Sequence, residues 1–183
     1  MARVIAIANQ KGGVGKTTTT ISLGAALSEL GARVLLVDMD SQGTLSIALG
    51  VHGIKKTVYD VLRDPELGIE DILVPTVTNC DLAPSNLHLA GAEVELLNEP
   101  GREFILKGKL ASVEHRFDYI LIDCPPSLGV LTLNALTAAS EIMIPVQSHY
   151  LAFRGMQLLL TTISKVKARL NPSLDVLGIL PTF

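Results

Sequence analysis

A glycine-rich loop near the start of the sequence carries the residues best suited to chemistry. It reads Lys11-Gly12-Gly13-Val14-Gly15-Lys16-Thr17-Thr18. Glycine backbone can wrap closely around an anion and point successive N–H groups at it. Lys16 adds a positive charge for the β- and γ-phosphates of a nucleotide, and the Thr17 hydroxyl can coordinate Mg²⁺. We therefore predict that this whole loop binds ATP together with Mg²⁺.

The loop departs from the general phosphate-loop pattern G-x-x-x-x-G-K-[ST] at one position. Gly15-Lys16-Thr17 fits the pattern, but Gln10 stands where the first glycine is expected, and Lys11 is an additional lysine. An apolar run precedes the loop and a helical pattern follows it, which is the context that phosphate binding requires. The alternative is a glycine-rich turn that merely precedes a helix.

Acidic residues follow two further apolar runs. Asp123 ends the run Tyr119-Ile-Leu-Ile-Asp123, and Asp38 and Asp40 end the run that begins at Arg33. Ligands of α/β folds bind at the carboxyl ends of parallel strands, so we expect Asp123 to hold Mg²⁺, through water. The alternative for an isolated acid is a cap or a turn. Asp38 and Asp40 are two residues apart, which places both side chains on one side of the strand end.

The elements that must position these residues alternate along the chain. Strands are predicted over residues 3–8, 33–37, 80–83, 119–123, 141–145 and 174–180. Helices are predicted over residues 17–30, 45–49, 58–62, 102–115, 131–139 and 153–170. A further helix should open at Pro84-Ser85-Asn86, with Ser85 or Asn86 as its N-cap, and end near residue 98.

This alternation of apolar strands and helices predicts an α/β fold. The fold should have three layers: a mostly parallel, twisted sheet with helices on both faces. No low-complexity linker or repeat divides the sequence, so we expect residues 1–183 to form a single domain. No helix follows the last predicted strand, and we expect the domain to be C-terminally truncated, without its last helices.

The composition excludes several classes of function. The net charge is −3 and the sequence pI is about 5.8, so nucleic-acid binding would need a local basic patch. Cys80 and Cys124 are far apart and form no C-x-x-C pair, which argues against zinc and dithiol chemistry. The apolar runs are all shorter than the ~20 residues of a membrane span. We expect a cytoplasmic protein without stable membrane insertion.

Three motifs in this order resemble the ParA/MinD family of deviant-Walker P-loop ATPases. They are the loop Lys11–Thr18, the segment Val37-Asp-Met-Asp-Ser-Gln-Gly43 and the segment Ile120-Leu-Ile-Asp-Cys-Pro-Pro-Ser127. Pro84-Ser-Asn-Leu-His-Leu-Ala-Gly-Ala-Glu93 is similar to the partition branch, ParA or Soj, and Ile144-Pro-Val-Gln147 extends the match. The resemblance covers nearly the whole chain.

This resemblance implies roles for individual residues in a nucleotide-switched homodimer. Lys11 would be the signature lysine that reaches the ATP phosphates of the partner subunit, and Lys16 would act on the ATP of its own subunit. Asp40 would position or activate the attacking water and support the Mg²⁺ shell beside Thr17 and Asp123. Asp38 is the alternative for that acid. The family often has proline where this chain has Ser41, and we expect little consequence for catalysis.

The implied function is chromosome or plasmid partition. The ATP-bound homodimer would hold non-specific DNA at the nucleoid, and a ParB-type protein would stimulate hydrolysis to ADP and phosphate. Lys165, Lys167 and Arg169, with Arg154, could form a basic stripe for DNA, although a solvated helix face would look the same. Part of the family's DNA surface and purine-binding loop lies in a C-terminal region that we expect to be missing here.

Two other functions use similar loops. A MinD-like positioning ATPase would need a C-terminal amphipathic helix for the membrane. A metabolic P-loop ligase or kinase would need an acceptor pocket near the γ-phosphate, and no residues of the sequence single one out. An iron–sulfur reductase related to the family would need cluster cysteines, and Cys80 and Cys124 do not form such a pattern.

Overall fold

The computed structural model describes residues 1–148 and 152–183, with side chains described outside residues 152–155. The strands are β1 (Arg3–Ile7), β2 (Val34–Asp38), β3 (Val74–Pro75), β4 (Asp81–Ala83), β5 (Tyr119–Asp123), β6 (Glu141–Gln147) and β7 (Asp175–Thr182). The helices are α1 (Lys16–Glu29), α2 (Thr44–Ala48), α3 (Val58–Arg63), α4 (Leu89–Glu95), α5 (Ile105–Ala111), α6 (Val130–Ala138) and α7 (Ala152–Arg169). Short 3₁₀ helices cover Ile69–Ile72, Leu96–Asn98, Arg102–Phe104 and Glu114–Arg116.

The strands form one sheet in the order β3-β4-β2-β5-β1-β6-β7. Every neighbouring pair is parallel except β3 and β4. β1, which leads into the glycine-rich loop, therefore lies between β5 and β6 near the middle of the sheet. In this register Ile7 and Asp38 both pair with Asp123. The carboxyl ends of β1, β2 and β5 thus lie side by side.

Alternate residues of the central strands face opposite layers, which confirms the predicted three-layer α/β architecture. Val4 and Ala6 of β1 pack into a cluster with α3 to α7, whereas Ile5 and Ile7 pack into a second cluster with α1 and α2. Both clusters are buried, so each central strand is apolar on both sides and reads as a continuous apolar run. No helix of the described residues is long and apolar enough to span a membrane.

The predicted N-cap of the helix after β4 is wrong. α4 begins at Leu89, with His88 in the cap position and neither Ser85 nor Asn86 capping it. The Ser85 hydroxyl instead donates a hydrogen bond to the Asp40 carbonyl oxygen, and the Asn86 side chain accepts the N–H of His88. Because the Ser85 hydroxyl is bonded to the loop after β2, it does not cap the helix, and α4 starts one turn later.

The single helix predicted over residues 102–115 is also wrong, because a side chain interrupts it. The Asn134 amide of α6 donates to the Arg102 carbonyl oxygen at 2.8 Å and accepts the Leu106 N–H at 3.0 Å. An α-helix would join that carbonyl to that N–H directly. Asn134 is fully buried, and its amide satisfies both groups. The chain is therefore a 3₁₀ turn followed by α5, and it ends in a second 3₁₀ turn.

The antiparallel strand β3 was not predicted. It has two residues, Val74 and Pro75, at the edge of the sheet. Proline lacks the N–H that a central strand must donate, so it is tolerated only at such an edge. Two residues are too few for a periodic pattern to be recognised in a sequence.

Close packing of α1 against the sheet depends on one glycine. Gly24 is buried, and a Cβ at that position would lie 2.8 Å from Cδ2 of Leu36 on β2. This distance is shorter than a side-chain contact allows. The helix that begins at Lys16 therefore approaches the sheet closely only because residue 24 has no side chain.

We expect Gly24→Ala to be less stable than the matched variant Gly108→Ala by about 1–3 kcal/mol, the usual cost of overpacking a core. Both glycines are in helix interiors, so both variants gain the same helix propensity of roughly 1 kcal/mol. A Cβ at Gly108 would meet no atom of the described residues within 4 Å. Urea unfolding measures the difference, and equal free energies of unfolding would show that the α1–β2 contact is not tight.

Candidate functional site

The glycine-rich loop connects β1 to α1 and turns through the left-handed region twice. Gly13 has a φ of +70° and Gly15 a φ of +86°, which residues other than glycine rarely adopt. Gly15 is the residue before the first turn of α1, and no side chain among the described residues caps that helix. The N-terminal N–H groups and the helix dipole of α1 are thus available to an anion in the loop.

Lys16 is the first residue of α1, and its side chain is held beneath the loop. Only 7% of its surface is exposed, and its Nζ lies 3.4 Å from the carbonyl oxygen of Lys11. Burial lowers the pKa of the Lys16 ammonium, while the charge of Asp123 opposes that shift. A buried ammonium with a hydrogen bond as long as this one is well suited to bind phosphate oxygens that enter the loop.

Thr17 and Asp123 meet at the base of the loop. The Thr17 hydroxyl donates to Oδ2 of Asp123 at 2.7 Å, and the Thr20 hydroxyl lies 3.5 Å from Oδ1. Asp123 is fully buried at the end of β5. Burial raises the pKa of Asp123 to about 7, although the hydrogen bond from Thr17 acts in the opposite direction.

The donor atoms at this point fit Mg²⁺. A hydroxyl and a carboxylate are hard oxygen ligands, and Mg²⁺ is usually held by one or two such groups together with water and substrate phosphates. Within the described residues, no three His, Cys, Asp or Glu side chains gather into a cation cage. Thr17 and Asp123 are therefore the pair that would hold the metal, next to the phosphate loop.

Asp38 and Asp40 have different environments although both follow β2. Asp38 is fully buried and accepts hydrogen bonds from the N–H and the hydroxyl of Ser46, at 2.9 and 2.7 Å, and from the N–H of Asp40. Burial raises the pKa of Asp38 to about 6. Asp38 therefore anchors the turn between β2 and α2, and its oxygens are used within the protein.

Asp40 is half-buried and lies in that turn. One carboxylate oxygen accepts the N–H of Gln42, and the Asp40 carbonyl oxygen accepts the Ser85 hydroxyl and the N–H of Gly43. These bonds fix the backbone of Asp40 and leave its second carboxylate oxygen without a protein partner among the described side chains. The role of Asp40 in water activation and in the Mg²⁺ shell remains a prediction.

Lys11 is exposed at the front of the loop, where two polar side chains hold it. Its backbone N–H donates to Oδ1 of Asn9, and its Nζ donates to Oε1 of Gln147 at 2.7 Å. The Gln147 amide nitrogen in turn donates to the Gly13 carbonyl oxygen at 3.1 Å. The trans role of Lys11 in a dimer remains a prediction.

The sequence did not assign Asn9, Gln147 or Thr182 to the site. Thr182, in β7, donates its hydroxyl to the carbonyl oxygen of Val14, which is almost completely buried in the loop. Asn9 follows β1, Gln147 ends β6 and Thr182 ends β7. A polar residue at the carboxyl end of a parallel strand was the available signal, but it identifies a site only once the order of strands is known.

Four of the remaining predicted residues are exposed. Gly12 and Thr18 are exposed around the loop. Of the predicted basic stripe on α7, Lys165 and Arg169 are exposed, whereas Lys167 contacts Asp175 at 3.5 Å. The side chain of the fourth member, at position 154, lies outside the described residues.

Comparison with known proteins connects this site to one family. An AAA domain family matches residues 2–176. The chromosome-partitioning ATPase Soj of Treponema pallidum is 49% identical over 181 residues, which are 98% of this chain and 70% of that protein. A protein of Mycobacterium tuberculosis is 54% identical over 99% of this chain, and the chain spans only 58% of its length.

The fold is also similar to solved structures of a Mycobacterium smegmatis protein. That protein, described as cobyrinic acid a,c-diamide synthase, was crystallised with ADP and magnesium and with an ATP analogue and magnesium. The TM-score is 0.96 at 51% identity, over 99% of this chain and 74% of the longer chain in the ADP-bound structure.

Because Asp123 is buried, we expect the free energy of unfolding to depend on pH. The pKa of Asp123 is about 7 in the fold and 3.8 ordinarily, so the folded protein holds this proton more tightly than the unfolded chain. Without nucleotide and Mg²⁺, the parent should lose roughly 1 kcal/mol per pH unit between pH 5 and 7 from this group. Asp123→Asn cannot ionise, so its stability relative to the parent should rise over that range.

Asp118→Asn is the control for this comparison. Arg33 lowers the pKa of the exposed Asp118 to about 2, so that carboxylate is ionised throughout the range and its variant should show no pH trend relative to the parent. Thermal unfolding in EDTA at several pH values measures both variants. A difference between Asp123→Asn and the parent that stays constant with pH would contradict the prediction.

Proposed function

Since the chain belongs to the ParA/Soj family of partition ATPases, we propose that it is a Mg²⁺-dependent ATPase whose bound nucleotide controls a homodimer. The observation that carries the proposal is the convergence of Lys16, Thr17 and Asp123 beneath a loop that also presents Lys11. A phosphate cradle, a metal-binding pair and a second, exposed lysine are the parts that such a switch requires.

The residues of the loop would bind the nucleotide in the way that their positions indicate. Backbone N–H groups from Gly12 to Thr18 surround the phosphates, and the Lys16 ammonium contacts the β- and γ-phosphate oxygens. Thr17 and Asp123 hold Mg²⁺, which neutralises phosphate charge when bound. The M. smegmatis relative, crystallised with ADP and magnesium, supports this use of the loop.

Hydrolysis would depend on Asp40 and on Lys11. The turn anchored by Asp38 holds Asp40 close to the carboxyl end of β2, next to β5 and Asp123. Asp40 positions the attacking water. Lys11 of each subunit reaches the nucleotide of the other subunit, so the exposed position of its side chain is what a trans role needs.

The biological role would be chromosome or plasmid partition, in the cytoplasm at the nucleoid. The ATP-bound homodimer binds DNA without sequence preference, and a ParB-type protein stimulates hydrolysis and release. Lys165 and Arg169 are exposed on α7 and would add phosphate contacts. The Soj relative, named a chromosome-partitioning ATPase, supports this role.

A ligase is the second candidate, because the M. smegmatis relative is described as cobyrinic acid a,c-diamide synthase. Such an enzyme would use ATP to activate a carboxylate of an acceptor. ATP turnover would then require cobyrinic acid and an ammonia donor, and DNA would have no effect. A steady-state assay with each addition separates the two candidates.

Sedimentation velocity tests the leading proposal. The chain is measured with ADP, with a non-hydrolysable ATP analogue and Mg²⁺, and with the analogue plus a short DNA duplex. The expected result is a monomer with ADP, a dimer with the analogue, and a DNA complex that weakens steeply as salt increases. A monomer under all three conditions would overturn the dimer switch.

Lys16→Ala and Lys11→Ala should separate binding from dimerisation. Loss of the charge-assisted contacts of Lys16 should weaken ATP binding about 10- to 100-fold. Lys11→Ala should keep ATP binding by the monomer but lose the ATP-dependent dimer, together with roughly 10³-fold in hydrolysis. Calorimetry and sedimentation measure these effects. Normal dimerisation and hydrolysis in Lys11→Ala would refute its trans role.

Asp40→Ala should keep ATP and slow its hydrolysis about 10²- to 10⁴-fold, the usual contribution of a general base. The ATP-bound dimer should then accumulate, because the subunits dissociate only after hydrolysis. Phosphate release measures the rate and sedimentation measures the dimer. Unchanged turnover would mean that Asp40 is not the catalytic base, and Asp38 would have to be tested next.

A further inference from the structure

We propose that Gln147 is a positioning residue that holds Lys11 against its own phosphate loop until the nucleotide-bound dimer forms. Gln147 thereby keeps Lys11 in cis while no nucleotide is bound. The inference rests on the proposed trans role of Lys11. No step of the mechanism above uses Gln147.

The contacts at Gln147 occupy both ends of its amide. Oε1 accepts the Lys11 ammonium at 2.7 Å, and Nε2 donates to the Gly13 carbonyl oxygen at 3.1 Å. An ammonium can only donate and a carbonyl oxygen can only accept, so chemistry fixes the orientation of this amide. Gln147 therefore connects the lysine at the front of the loop to the loop backbone two residues later.

The backbone of Gln147 is held by the sheet and cannot follow Lys11 outward. Gln147 is the last residue of β6 and pairs in register with Thr182 of β7. Two residues earlier, the Pro145 carbonyl oxygen accepts a hydrogen bond from the Asn9 side-chain nitrogen. The Asn9 side-chain oxygen accepts the Lys11 N–H. Lys11 must break the 2.7 Å contact with Gln147 if its side chain turns toward a second subunit.

The strength of this contact suits a reversible hold. It lies at an exposed position, where a hydrogen bond shifts an equilibrium by only about two- to tenfold. ATP phosphates on a second subunit offer Lys11 several charged acceptors and so outcompete one neutral amide. The ammonium therefore stays in cis without nucleotide and transfers when the dimer assembles.

Chemical labelling of Lys11 tests the hold directly, in the nucleotide-free chain. Acetylation by acetic anhydride, followed by mass spectrometry, reports how free the Lys11 amine is. Gln147→Met keeps the side-chain size but removes both hydrogen bonds, and it should raise the Lys11 labelling rate about two- to tenfold. Gln147→Glu replaces the amide by a carboxylate that binds an ammonium more strongly, and it should lower the rate.

Gln157→Met on the exposed surface of α7 is the matched control, and it should leave the Lys11 rate unchanged. The exposed Lys165 is the internal reference in every sample. An unchanged Lys11 rate in Gln147→Met, or a raised rate in Gln147→Glu, would overturn the proposal. This readout needs neither ATP nor a dimer, so it stands even if the proposed ATPase function fails.

Dimer affinity supplies the second readout. With a non-hydrolysable ATP analogue and Mg²⁺, Gln147→Met should tighten the dimer about two- to tenfold, because Lys11 no longer has to leave Gln147. Gln147→Glu, which binds the Lys11 ammonium more strongly, should weaken the dimer, and the control Gln157→Met should leave its affinity unchanged. An unchanged or weaker dimer in Gln147→Met would refute its positioning of Lys11.

Discussion

A carboxylate buried at the carboxyl end of a central strand is the constraint on which this structure depends. Asp123 ends β5 with no exposure, and burial raises its pKa to about 7. Its hydrogen bond from Thr17 fixes the first turn of α1, and with it the phosphate loop, against the centre of the sheet. Burying this carboxylate destabilises the fold when it is ionised without a cation, whereas the proposed function requires it to hold Mg²⁺, so stability and the proposed function oppose each other at this position.

The two acids after β2 illustrate how environment assigns roles to identical side chains. Asp38 is bonded to Ser46 and to the backbone of Asp40, so it maintains the turn. Asp40 is held through its backbone, partly by Ser85, and its carboxylate is half-buried at the edge of the site. The segment around Ser85, which is similar to the partition branch of the family, therefore supports the turn that carries the proposed catalytic carboxylate.

The far side of the loop depends on strands that are distant in the sequence. Gln147 and Thr182 each bind a loop carbonyl oxygen, of Gly13 and Val14 respectively. The glycine-rich loop is thus held at its base by β5 and at its side by β6 and β7. Its geometry belongs to the whole sheet, although its anion-binding chemistry is local.

The sequence by itself determined the chemistry: the phosphate loop, the acids after the strands, the three-layer parallel fold and the family, because these depend on local residue types and on periodicity. Tertiary structure decided what depends on contacts between distant segments. Asn134 splits a helix by entering its hydrogen-bond ladder, and Ser85 leaves a capping position to bind Asp40. Gln147 meets Lys11 only because β6 lies beside β1. These hydrogen bonds join residues that are 28 to 136 positions apart and leave no periodic pattern in the chain, so only the folded structure could identify them.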